Sequence, residues 1–340
     1  MQFLSDNTAT ACPEILAALA AVNHGRAHSY GEDEWTARLD PLFTDYFGTE
    51  VRSFAVATGT AANSLSLATL SPPYGAIFAH HEAHIETDEC GAPAFFSGGA
   101  QLALLPGEHG RIDPDTFARA LADHPSVNVG LHSVQPAALS LTQMTEMGTV
   151  YRPEALKRLC ELAHARGLKV QMDGARFANA VAFLGCHPGD IAWRCGIDVL
   201  SFGATKNGAY AAEAVVFFDT SLVRDFELRR KRAGHLFSKS RYIAAQLIAY
   251  VEAGLWLRNA QRTNALGQRI AQAGANFLLH PVEGNEIFVA LGVERRQRLR
   301  AAGFEFYDWG PPHKGEARFV VSWDQEDADV AALCAALARL

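Results

Sequence analysis

The spacing of hydrophobic positions changes along the chain, and each change marks an element. Val51–Ala57 reads as a strand; Thr58-Gly59-Thr60 interrupts it, and Ala61, Leu65 and Ala68 then share one helical face. Gly75–Ala79, Gln101–Leu105 and Ala137–Thr142 are further short strands. After Arg152, Pro153 suits a first helical turn, Leu156, Leu159, Cys160 and Ala163 form an i, i+3, i+4, i+7 stripe, and Gly167 closes the segment. Leu168–Asp173, Ile197–Phe202 and Ala214–Phe218 follow as buried strands. Beyond residue 240 the period becomes helical over Tyr242–Asn259 and Asn264–Leu278, with a short β region at Ile287–Ala290 and a closing helix after Asp327.

Strands alternating with helices through the first two-thirds predict an α/β fold with a mainly parallel central sheet. The later change predicts a large domain over residues 1–240 and a smaller α+β domain over 241–340. A chain of 340 residues, 49% hydrophobic, can bury a full core for each. The net charge of −7 gives no cationic surface for a nucleic acid, so a small ligand is expected. The six cysteines are scattered without a Cys-x-x-Cys pair and read as reduced thiols of a cytoplasmic protein. The apolar stretch Ile15–Val22 is too short to span a bilayer, so no membrane attachment is expected.

In an open parallel sheet the carboxyl ends of the strands face one crevice, and three features end there. Gly59-Thr60 opens a helix, whose free N–H groups and dipole favour a phosphate, although the same residues also suit an ordinary cap. Asp173 ends a buried strand, where its carboxylate needs a cation: either the protonated nitrogen of a heterocycle or Arg176 three residues on. Lys206 lies among small residues after a strand, the setting of an imine-forming amine. His84 could stack on an aromatic ligand and move protons. It also alternates with His80 and Glu82, which would share one face of a strand, so a metal-dependent hydrolase is a rival reading, although no zinc motif supports a metal. The run Arg229-Arg230-Lys231-Arg232 reads as a solvated helical face.

Taken together, Ser5-Asp6-Asn7, Tyr30-Gly31-Glu32-Asp33, Thr58 through Asn63, His84 through Gly91, Gly148 through Pro153, Met172 through Arg176, Lys206-Asn207-Gly208 and Ala317-Arg318-Phe319 resemble the threonine aldolase group of fold-type-I pyridoxal-phosphate (PLP) enzymes, low-specificity members in particular. The resemblance implies cleavage of L-threonine, L-allo-threonine or a related β-hydroxy-α-amino acid to glycine and an aldehyde. It implies that Lys206 carries PLP as a Schiff base, that Asp173 pairs with the pyridine nitrogen, and that His84 stacks on the ring. Gly59 and Thr60 would hold the phosphate. Ser5, Arg176 and Arg318 would take the substrate carboxylate, and Tyr30 would reach a neighbouring subunit's site in a homodimer or homotetramer.

One departure stands out. Many relatives carry His-Asn-Gly where this chain has Thr145-Glu146-Met147-Gly148, so Glu146 replaces a histidine expected at the substrate hydroxyl. That opens a preference for aromatic substrates such as phenylserine, and leaves His84, Glu89 and Glu146 as candidate bases. Another PLP lyase, a racemase or an aminotransferase of the same fold is the other rival.

Overall fold

A computed structural model describes all residues, Met1–Leu340. The central sheet has seven strands: β1 (Arg52–Val56), β2 (Gly75–His80), β3 (Gln101–Leu105), β4 (Gln135–Thr142), β5 (Lys169–Gly174), β6 (Val199–Gly203) and β7 (Glu213–Phe217). Their spatial order is β1-β7-β6-β5-β4-β2-β3, and only β7 runs against the others. Helices cover both faces, so β2, β6 and β7 are buried along their whole length, as their unbroken apolar character requires. The mainly parallel α/β architecture expected from the sequence is therefore present.

Six strands end, and the reversed β7 begins, at the same edge of the sheet. Helix α1 (Gly59–Leu70) starts there directly after β1, and helix α2 (Pro153–His164) buries the predicted stripe of Leu156, Leu159, Cys160 and Ala163. A smaller antiparallel sheet, ordered β8-β10-β9, is built from β8 (Glu286–Ala290), β9 (Tyr307–Trp309) and β10 (Glu316–Val320). Its own apolar core runs from Leu266 to Leu337 and includes Phe3. Phe3 N–H donates to Glu305 and Phe3 C=O accepts from Val320 N–H, which ties the first residues to this sheet.

Three expectations need correction. The helical region after residue 240 breaks at Gly254, not near residue 260: helices span Arg241–Glu252 and Leu255–Ala273, because Gly254 turns the chain at φ +66°. The alternation of His80, Glu82 and His84 on a strand does not occur, since β2 ends at His80 and His84 opens a short helix. His80 is occupied locally, with Nε2 at 3.1 Å from Gly107 O and Nδ1 accepting from Glu82 N–H. Finally, Arg230 leaves the solvated face of its helix: it is buried, and Nη2 donates to Ala55 O at 2.7 Å.

Candidate active site

The edge where the strands end encloses a cavity of about 270 Å³. An adjoining one of about 320 Å³ shares Asn7, His84, Glu146, Arg176 and Lys206 with it, so the two form one cleft. Thr58 and Gly59 arrive from the end of β1, His84 from β2, Glu146 from β4, Asp173 and Arg176 from β5, and Lys206 from β6. The small sheet supplies Glu286 and Arg318 to the outer half, where Ser5 also lies.

The inner half has the electrostatics of a phosphate at one end and a heterocycle at the other. Thr58 caps α1 through Oγ1 to Ala61 N–H at 3.2 Å, and its carbonyl accepts Ala62 N–H. That leaves the N–H groups of Gly59 and Thr60 free at the positive end of the helix. A Cβ at Gly59 would meet no atom within 4 Å, and Gly59 and Thr60 both line the cavity. Asp173 is 4% exposed and forms no ion pair. It accepts from Asn63 Nδ2 at 2.7 Å and from Ala175 N–H at 2.9 Å. A buried carboxylate without a protein cation is costly and fits a cationic ring nitrogen brought by a ligand. The Asp173–Arg176 bridge, the alternative reading, does not form; Arg176 binds Asp6 instead. The chemistry of this set thus fits PLP, with Lys206 lining the same cavity as Asp173 and the free helix end.

His84 Nδ1 lies 2.9 Å from Glu89 Oε1, and Asn63 Nδ2 bridges that carboxylate to Asp173 at 2.9 and 2.7 Å. The bond to Glu89 raises the His84 pKa against the opposing effect of burial. Glu89 itself is fully buried behind the histidine and does not line the cleft. Glu146 does line it. Its Oε1 accepts from His84 N–H at 2.7 Å and Thr142 Oγ1 at 2.9 Å, while Oε2 is buried with no partner. Burial, helped by the Asp173 charge, pushes Glu146 up to about 7.

In the outer half Arg176 Nε and Nη2 donate to Asp6 at 2.7 and 3.0 Å. Burial pushes Asp6 up, but the charges of Arg176 and Lys206 and the hydrogen bonds from Arg176 and Asn285 together outweigh it and leave the carboxyl below its ordinary value. Arg318 stands close by, and its Nε is buried without an acceptor, as expected of a group that waits for an anion. Tyr30 is brought to no part of this cleft: it is half-exposed on a separate groove, with Lys231 Nζ 4.2 Å from its ring centre.

Besides Asp6, two acidic residues at the site had no role in the sequence reading. Glu213, at the start of β7, accepts from Ala204 N–H at 3.1 Å, and burial pushes it up to about 7. Glu286, at the start of β8, is 1% exposed. Each is a lone carboxylate inside an apolar strand, as in Ala212-Glu213-Ala214-Val215 and Glu286-Ile287-Phe288-Val289, and that contrast was the available signal.

Comparison with known proteins gives a consistent picture. The sequence profile of a family described as beta-eliminating lyase matches residues 2–293. A low specificity L-threonine aldolase of Pseudomonas sp. is 42% identical over 338 residues, covering 98% of this chain and 96% of that protein. One of Pseudomonas aeruginosa is 43% identical over 329 residues, covering 96% and 93%. The solved structure of a Leishmania major threonine aldolase superposes with a TM-score of 0.92 at 24% identity, covering 99% of this chain and 98% of that one.

Proposed function

The chain belongs to the beta-eliminating lyase family, and from that premise we propose that its cleft cleaves L-threonine and related β-hydroxy-α-amino acids to glycine and an aldehyde. It is a PLP-dependent carbon–carbon lyase of the low-specificity L-threonine aldolase type. One observation carries the residue assignments: Lys206, the unpaired Asp173 and the free N–H groups of Gly59 and Thr60 converge on one cavity that opens onto Arg176 and Arg318.

When bound, PLP supplies an electron sink for the pair released from the Cα–Cβ bond. The protein's residues do the rest. Lys206 is the amine that holds the cofactor, Asp173 keeps the ring nitrogen protonated, and the α1 N-terminus holds the phosphate. Arg318 and the Nη1 edge of Arg176, with Ser5, fix the substrate carboxylate, and that fixation sets which bond at Cα stands ready to break. Glu146 takes the β-hydroxyl proton. Its near-neutral pKa suits a base at physiological pH, and it occupies the loop where relatives place a histidine. Glu89 acts through His84: it holds Nδ1–H and leaves Nε2 to face the cleft. It is a positioning residue.

Tyr30, outside the cleft of its own chain and half-exposed, is assigned to the site of a second copy, in a homodimer or a pair of dimers. Six unpaired thiols support a reducing compartment, the cytoplasm. No helix is long and apolar enough to cross a membrane.

The test is a Lys206→Ala variant. The wild-type protein should release glycine and acetaldehyde from threonine and, after borohydride reduction, carry the cofactor on the peptide containing Lys206. The variant should do neither; turnover by it would reject the assignment. Running phenylserine beside threonine decides whether Glu146 shifts the preference toward aromatic substrates.

A further inference from the structure

The outer half of the cleft already contains an anion. Glu286, 1% exposed, sits between the two arginines, with Oε2 3.1 Å from Arg176 Nη1 and Oε1 3.7 Å from Arg318 Nη1. Neither contact is a formed hydrogen bond: Oε2 is left without a donor, Oε1 stands 3.7 Å from Arg318 Nη1, and Arg318 Nε has no acceptor. The Nε edge of Arg176 is taken by Asp6, so its remaining donors face Glu286. Two guanidinium groups and two carboxylates make a neutral cluster. The charged groups facing Glu286 are Arg176 after β5, Arg318 on β10, Asp6 from the N-terminal segment and Lys206 after β6. Glu146 and His84 line the same cavity from the other wall.

An arriving substrate carboxylate needs those same donors. With Glu286 ionised, the closed cluster would hold three carboxylates against two guanidinium groups, and like charges at such spacing in a dry site do not all stay ionised. The backbone offers Glu286 no retreat, because its carbonyl and Cβ pack against Gly148 of the loop that carries Glu146. We infer that Glu286 is a positioning residue that holds the arginine pair in place of the substrate carboxylate, and that amino-acid binding takes over those donors with uptake of one proton at Glu286. Burial already raises its pKa, with Arg176 and Arg318 opposing, which is the direction that favours taking the proton. The inference rests on the proposed reading of Arg176 and Arg318 as the carboxylate site.

The experiment uses holoenzyme and glycine, with affinity read from the cofactor absorbance and proton exchange from calorimetry in buffers of different ionisation enthalpy. At pH 8, wild type should take up about one proton more per glycine bound than E286Q, because only the glutamate can be protonated. E286Q should bind glycine more tightly than wild type at pH 8, with the gap closing as pH falls, because only wild type must neutralise a charge, and E286A should show the same proton count as E286Q if the amide perturbs packing. Equal proton counts in wild type and both variants, or weaker glycine binding by both, would overturn the inference. R318Q separates the underlying reading: it should lose glycine affinity at every pH. Loss in R318Q with no change in the Glu286 variants removes only the proton exchange; unchanged affinity in R318Q removes the carboxylate site and the inference with it.

Discussion

Replacing Glu146 by Gln should make the protein more stable and less active, and the structure sets both magnitudes. The amide keeps an oxygen for His84 N–H and Thr142 Oγ1, the two donors that Oε1 now accepts from. It removes the charge from Oε2, which is buried and unpartnered. Burial lifts the glutamate from an ordinary 4.5 to about 7. A carboxyl whose folded pKa is raised stabilises the fold below its unfolded pKa, and that stability is lost as pH rises toward the folded value. Across about 2.5 pH units, at about 1.4 kcal/mol per unit, ionised Glu146 therefore costs about 3 kcal/mol at pH 8. E146Q should be equal to wild type near pH 4.5, about 2 kcal/mol more stable at pH 6 and about 3 at pH 8. Urea unfolding of holoenzyme at fixed protein concentration across this range measures it. Loss of the base should lower kcat for threonine by about 10²- to 10⁴-fold and flatten the rise of kcat/KM through pH 7. A variant no more stable than wild type at pH 8 would refute the buried charge, and one with undiminished kcat would refute the base.

Three further outcomes follow from the same geometry. Glu89→Gln removes the partner that raises His84, so the histidine should titrate at lower pH by NMR while the fold is kept; an unmoved midpoint would separate the two residues. Gly59→Ala should leave apoprotein stability within about 0.5 kcal/mol, since the added methyl meets no protein atom. It should nonetheless weaken cofactor binding about tenfold, about 1.4 kcal/mol, in an absorbance titration. Arg176→Ala leaves Asp6 and Glu286 buried without their guanidinium, and should cost about 3–5 kcal/mol in urea unfolding as well as glycine binding; Arg176→Lys should recover most of the stability.

The sequence carried the sheet and the inner half of the cleft because both obey local rules. Strand, Gly-containing turn and helix over residues 52–70 follow from composition and period, and the position of Asp173 at the end of one strand and Lys206 just after another follows from the direction of a parallel sheet. The outer half was less legible. Asp6, Glu286 and Arg318 lie far apart in sequence and meet only because the N-terminal segment joins the small sheet, a pairing with no local signature. Glu89 was read as a candidate base because it is near His84 in sequence; only the fold shows it on the far side of the ring. The break at Gly254 was missed because apolar spacing continues through it, and one glycine in a helical pattern is ambiguous by itself.

The strap formed by residues 3–6 has a mechanical consequence. Phe3 is laced into the small sheet on both sides, and three residues later Asp6 grips Arg176, while Asn285 beside β8 also donates to Asp6 at 3.1 Å. Any tilt of the small sheet therefore drags on a guanidinium rooted in the large one, so the strap acts as a drawbar between the two bodies. Severing it, by cutting or by replacing Asp6, would uncouple the two halves of the carboxylate grip even with every other wall of the cleft intact.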